Sequence, residues 1–176
     1  MSSLSLPRRL VLAILLLGAA GAKAADEKKK PPAKGPPTEK VVIGGERFKL
    51  EVAADRAART KGLMGRQRID DHGGMLFVFR TARKRTFWMK ECPIDIDLIM
   101  LDARGRIIRL HKMKREPPRQ EDESVFAYER RLKDYSSQRP MQFAIELEAG
   151  SIDRLKLETG RTIPLDLRRL KKMAKR

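Results

Sequence analysis

Three stretches of this chain sort their side chains by twos. Phe48, Leu50 and Val52 alternate with Lys49 and Glu51. Ile94, Ile96, Leu98 and Met100 alternate with Asp95, Asp97, Ile99 and Leu101. Met141, Phe143, Ile145 and Leu147 alternate with Gln142, Ala144, Glu146 and Glu148. A period of two places one set on each face of an extended strand and fits no helix. Met75–Phe79, MLFVF, is apolar at every position and reads as a covered central strand. The chain is therefore expected to be mainly β, a β-sandwich or jelly-roll-like fold or a partly closed barrel, with one to three short helices.

The connections support this. Asp55 is an N-cap for a short helix over DRAARTKGLMG. The turn DARG, 102–105, has Asp first and Gly fourth and joins the Ile96 strand to a return strand RIIRLHK. EDESVFAYERRLKDY, 121–135, reads as a helix with Val125, Tyr128 and Leu132 on one face. Phe87–Lys90 and Thr162–Leu167 read as further strands. The single cysteine, Cys92, forms no internal disulfide, so a packed core must hold the fold.

Four segments are expected. Residues 1–24 carry Arg8 and Arg9, an apolar run from Leu10 to Ala22 and an Ala22-Lys23-Ala24 end, the pattern of a secretory signal peptide. The apolar run is shorter than the roughly 20 residues of a membrane span, so no transmembrane helix is expected after cleavage. Residues 25–40 form a Lys/Pro-rich disordered linker with too little apolar surface to offset ordering entropy. Residues 41–167 form the β domain. Residues 168–176, RRLKKMAKR, form a basic tail or short amphipathic helix with Leu167, Leu170 and Met173 on one side. The expected address is the periplasm or cell envelope.

The formal charge is +17. Export argues against nucleic acid as partner and points to anionic envelope polymers or lipid headgroups. Glycines 62, 65, 73 and 74 lack the Lys-Ser/Thr of a phosphate loop and serve turns. No cofactor is expected.

KGLMGRQRIDDHGGMLFVF, then FWMK, PIDIDLIMLDARGRII, QFAIELEAG and LETGRTIPL resemble the domain-of-unknown-function 192 family over about residues 47–166. The resemblance implies a mainly β domain and carries no established activity. Its Gly-Leu-Met-Gly-Arg falls on Gly62–Arg66, its Gly-Met-Leu-Phe on Gly74–Phe77 and its Phe-Trp-Met-Lys on Phe87–Lys90. Its acidic positions fall on Asp97 and Glu146. Glu91-Cys92 and Asp95 depart from its usual residues, and 114–140 is longer than its common form.

The polar residues inside these motifs are the candidate ligand-binding set: Arg66, Trp88, Lys90, Asp97 and Glu146. Trp88 offers a stacking face, Arg66 and Lys90 supply cations, and the acids orient them. The preferred reading is a non-catalytic binding module for an anionic envelope component. One alternative is a small envelope enzyme. Its groups would be Cys92 with His111 on the predicted partner strand, or Asp97 with Glu146. Asp95 and Asp97, about 7 Å apart on one strand face, match glycoside hydrolysis weakly, since both lie on one side of any bond between them. Another alternative is a copper-binding module built on Met64, Met75 and Met89, against which stands the ordinary use of methionine as core filler. Neither His72 nor His111 has metal-ligand spacing.

Overall fold

The computed structural model describes residues 35–174. The residues expected to form the signal peptide, the expected linker up to residue 34 and the last two residues of the basic tail lie outside the described residues. The strands are β1 (Thr38–Ile43), β2 (Glu46–Ala53), β3 (Met75–Arg83), β4 (Thr86–Phe87), β5 (Ile96–Leu101), β6 (Ile107–Met113), β7 (Tyr135–Ser136) and β8 (Met141–Glu148). The helices are α1 (Arg56–Lys61), α2 (Val125–Arg131), α3 (Ser151–Arg154) and α4 (Leu167–Met173). That is one helix more than the composition of the segments suggests. No helix among the described residues is long and apolar enough to cross a membrane.

Six strands form one mixed sheet in the order β1-β2-β3-β8-β5-β6, and β4 pairs with β7 beside it. The sheet has two edges and closes no barrel, so the fold is mainly β and sandwich-like. Only the β2–β3 pairing is parallel, because α1 and its loop carry the chain over between them. Gly44 and Gly45, with φ of 58° and 90°, make the two-residue turn between β1 and β2. β1 begins at Thr38, three residues inside the segment expected to be linker.

β8 and β5 are central, and period-two reasoning alone undersells their burial. Met141–Leu147 and Ile96–Leu101 are buried at every position. The alternation survives as a division between two apolar layers. Ile99, Leu101, Phe143, Ile145 and Leu147 face one layer, completed by Ile152, Leu155, Leu157, Ile163 and Leu170 from the C-terminal segments. Ile96, Leu98, Met100 and Ala144 face the other, with Leu63, Met89 and Tyr135. Each large side chain so covered contributes on the order of 1.5–3 kcal/mol.

The hairpin across 102–105 forms as expected: the N–H groups of Arg104 and Arg106 donate to Asp102 Oδ1 at 2.8 and 3.0 Å. The expected strand over 162–167 reduces to a single bridge between Thr162 and Arg106, because Pro164 has no N–H to continue a ladder. The strand expected over 87–90 ends at Phe87. α2 starts after Ser124, whose Oγ accepts from Ala127 N–H at 3.1 Å. Tyr128 and Leu132 are buried, but Val125 is exposed rather than on their face. In the basic C-terminal segment, α4 buries Leu170 against the first layer.

Candidate functional site

The two glycine- and tryptophan-bearing motifs meet in space. α1 is capped by Asp55 and ends at Gly62, whose φ of 47° turns the chain sharply. The loop that follows is pinned when Gly65 N–H donates to the Glu91 carbonyl at 2.8 Å. On the other side Met89 is sunk into the second layer, and Cys92 N–H closes a turn onto its carbonyl at 3.3 Å. A buried Met89 flanked by Trp88 and Lys90 throws those two outward. Glu91, at φ 52°, is held there by its N–H bond to the Tyr128 hydroxyl, 2.9 Å.

Between these walls lies a cleft of about 440 Å³, inside the roughly 300–1,000 Å³ range of ligand pockets. Leu63, Met64, Phe77, Phe79 and Phe87 supply apolar wall; Arg56, Arg59, Lys61, Lys84, Arg85 and Lys90 supply cations; Cys92 and Glu146 lie on its lining as well. Phe87 meets Phe77 and Phe79 edge to face, with centroids 5.2 and 6.3 Å apart.

The charges are unbalanced. The guanidinium carbons of Arg59 and Arg85 lie 5.2 and 3.9 Å from the centre of the Phe79 ring. Neither arginine has an ion-pair partner among the described residues. Arg59 Nη1 instead donates to the carbonyls of Ala54 and Val78, at 2.6 and 3.1 Å. Burial pushes both below the usual arginine range; Asp55 opposes this at Arg59, and repulsion from Arg59 and Arg83 adds to it at Arg85. Arg85 Nε is buried without a hydrogen-bond partner. Glu146, by contrast, is a 95 % buried carboxyl raised to about 8 by desolvation alone.

Of the five candidate residues, Trp88, Lys90 and Glu146 share this cleft, and Arg66 and Asp97 do not. Trp88 is 40 % exposed. Lys90 sits 5.7 Å from its ring centre and pairs with Glu129 of α2 at 2.6 Å, which raises its pKa. Arg66 makes a two-pronged pair with Glu51 at 2.7 and 2.6 Å, in a neighbouring groove. Asp97 lies on the opposite face of the sheet and accepts from Ile152 N–H at 2.7 Å. Its pKa is raised, with burial outweighing that bond.

The enzyme groupings do not assemble. His111 pairs with Leu98 in the ladder, Cys92 precedes β5, and His111 Nε2 is 3.0 Å from the Ser136 carbonyl oxygen. The Cys92 thiol is spent on the Lys90 carbonyl at 3.4 Å and is pushed up to about 12 by burial, then by Glu146 and Glu91. Asp97 and Glu146 face opposite sides of the sheet. Asp95 is held by Lys114 at 2.8 Å and by Arg115 N–H at 2.8 Å. Met75 and Met89 are buried in the second layer, and Met64 lines the cleft. Among the described residues no three His, Cys, Asp or Glu side chains group to hold a metal.

Arg59, Arg85 and Phe79 escape sequence reasoning. RTARKR, 80–85, reads only as a basic connection, and nothing in spacing joins Arg85 to an arginine 26 positions earlier.

The profile of DUF192, described as an uncharacterised ACR, matches residues 39–165. A crystal structure from Novosphingobium aromaticivorans DSM 12444, of a protein of unknown function, is 25 % identical with a TM-score of 0.59 and covers 83 % of this chain and all of its own. A second, from Sinorhizobium meliloti 1021 and provisionally described as a transcription regulator, is 25 % identical with a TM-score of 0.57. It covers 71 % of this chain and 89 % of that one. No curated protein matches significantly.

Proposed function

This chain belongs to the DUF192 family, and we propose that its cleft binds an anionic component of the cell envelope without covalent chemistry. The supporting observation is the pair Arg59 and Arg85, two partly buried cations stacked on one Phe79 ring that form no ion pair among the described residues, with Asp55 acting on Arg59 only at longer range. Arginine stays protonated, so their repulsion is relieved by an anion brought from outside. Lys61, Lys84 and Lys90 extend the positive rim, which adds attraction that salt screens. The sequence pattern of an exported leader supports an envelope address.

The regulator description belongs to the Sinorhizobium protein. Among the described residues the longest helices have seven residues, about two turns, short of the helices that read a DNA groove.

Trp88 is the only tryptophan and lines the cleft, so its fluorescence reports on the site. Titration of the purified chain with tripolyphosphate is expected to give a saturable change. Lys61→Glu with Lys84→Glu is expected to weaken it by about tenfold or more, near 1.4 kcal/mol. A non-saturating signal, or one identical in the variant, overturns the proposal.

A further inference from the structure

We propose that the ligand of this cleft is an acidic sugar, a uronic-acid unit whose carboxylate meets the cationic rim while its hydroxyls reach the Glu146 carboxyl. The inference rests on the anion-binding reading above and adds what the floor of the cleft demands.

Glu146 projects from β8 on the face that carries Ala144, and its ladder neighbours are Met75 on β3 and Leu98 on β5, both apolar. Cys92 shares the lining, and its thiol already donates to the Lys90 carbonyl. The Glu146 carboxyl forms no hydrogen bond and no ion pair among the described residues, and desolvation is the sole cause of its shift. Its oxygens keep only a small accessible area to offset that desolvation, so a ligand hydroxyl in the cleft supplies a partner the protein does not.

The partner must satisfy two requirements at once. A bare phosphate or sulfate satisfies the rim and can accept from a neutral Glu146, but it leaves the aromatic wall uncovered. An acyl chain fills the apolar wall and gives Glu146 nothing. A hydroxylated acid satisfies both, and the Trp88 and Phe87 surfaces suit the flat C–H face of a sugar ring. The chemistry predicts proton linkage. Glu146, near 8, is a neutral hydrogen-bond donor at pH 6 and a buried anion facing an anionic ligand at pH 9. The charged groups facing the cleft around it are Arg56, Arg59 and Lys61 of α1, and Lys84, Arg85 and Lys90 between β3 and β5. Cys92, near 12, keeps its proton across this range.

The test titrates trigalacturonate, tripolyphosphate and maltotriose against the wild-type chain, Glu146→Gln and Glu146→Ala at pH 6 and pH 9, with Trp88 fluorescence as readout. Wild type is expected to bind trigalacturonate at least about tenfold tighter than the other two at pH 6 and to lose about tenfold by pH 9. Glu146→Gln keeps a donor and is expected to bind with no such pH dependence; Glu146→Ala loses the preference. Trigalacturonate no better than tripolyphosphate overturns the sugar assignment while the anion reading stands. Glu146→Gln with the wild-type pH profile overturns the role of Glu146. If none of the three ligands binds, both readings fall.

Discussion

Asp97 and Glu146 sit on neighbouring strands and face opposite sides of the same sheet. In the ladder Asp97 lies across from Leu147 and Glu146 from Leu98, so each carboxyl is one pleat out of step with the other. Two acids from the same family motifs therefore serve different ends. Asp97 secures the start of α3, and Glu146 floors the cleft.

Asp97→Ala is expected to leave the Ile152 N–H unpaired and to destabilise the fold by about 1–3 kcal/mol. Chemical denaturation measures the loss. Cleft binding, read from Trp88, is expected to stay within about twofold of wild type.

The pH dependence of stability carries the signature of Glu146. Its folded pKa of about 8 stands above the ordinary glutamate value of 4.5. Its stabilising contribution is therefore fully present below about pH 4.5 and is lost as pH rises through 8. Relative to Glu146→Gln, wild type is expected to lose on the order of 3–5 kcal/mol between pH 4.5 and 9. Paired denaturation curves across that range test this, and parallel curves would refute it.

How far these sites can be seen in the sequence follows from the reach of each signal. Alternation locates β2, β5 and β8, because a one-residue slip would reverse both faces, and the DARG turn adds β6. It is silent on β8 lying between β3 and β5, where cover on both sides buries Gln142 and Glu146 along with the apolar residues. Trp88, Lys90 and Glu146 stand out as polar positions within core motifs, and they do converge. Arg66 and Asp97 stand out for the same reason but are taken up by Glu51 and by the α3 backbone. Arg59 and Arg85 become a pair only through the path of β3, which no local pattern encodes.

Cys92 is expected to resist alkylation in the native protein. It is 92 % buried, hydrogen-bonded to a backbone carbonyl and pushed up to about 12, so little thiolate forms. Labelling at pH 8 should proceed only at the rate of unfolding, checked by mass spectrometry with and without denaturant.

Tyr128→Phe is expected to cost about 1–3 kcal/mol, since the Glu91 N–H loses its acceptor in a left-handed turn. Glu129→Ala, which breaks the partly exposed pair with Lys90, should cost no more than about 1 kcal/mol. Melting curves of both variants test the ranking.

Gly74 has φ 141°, and a Cβ there would collide with the Glu146 carbonyl oxygen. Gly74→Ala must separate β3 from β8 at the cleft floor, so soluble folded protein is expected to fall sharply, measured by expression yield and circular dichroism.

The central claim is that one cleft, rather than the general positive charge of the surface, takes the anion. Backbone amide shift mapping of the chain titrated with trigalacturonate addresses it directly. Saturable shifts confined to Gly62–Met64, Lys84–Cys92 and Glu146 are predicted. Shifts spread along α4 and the other basic surfaces, or non-saturating shifts, would contradict it.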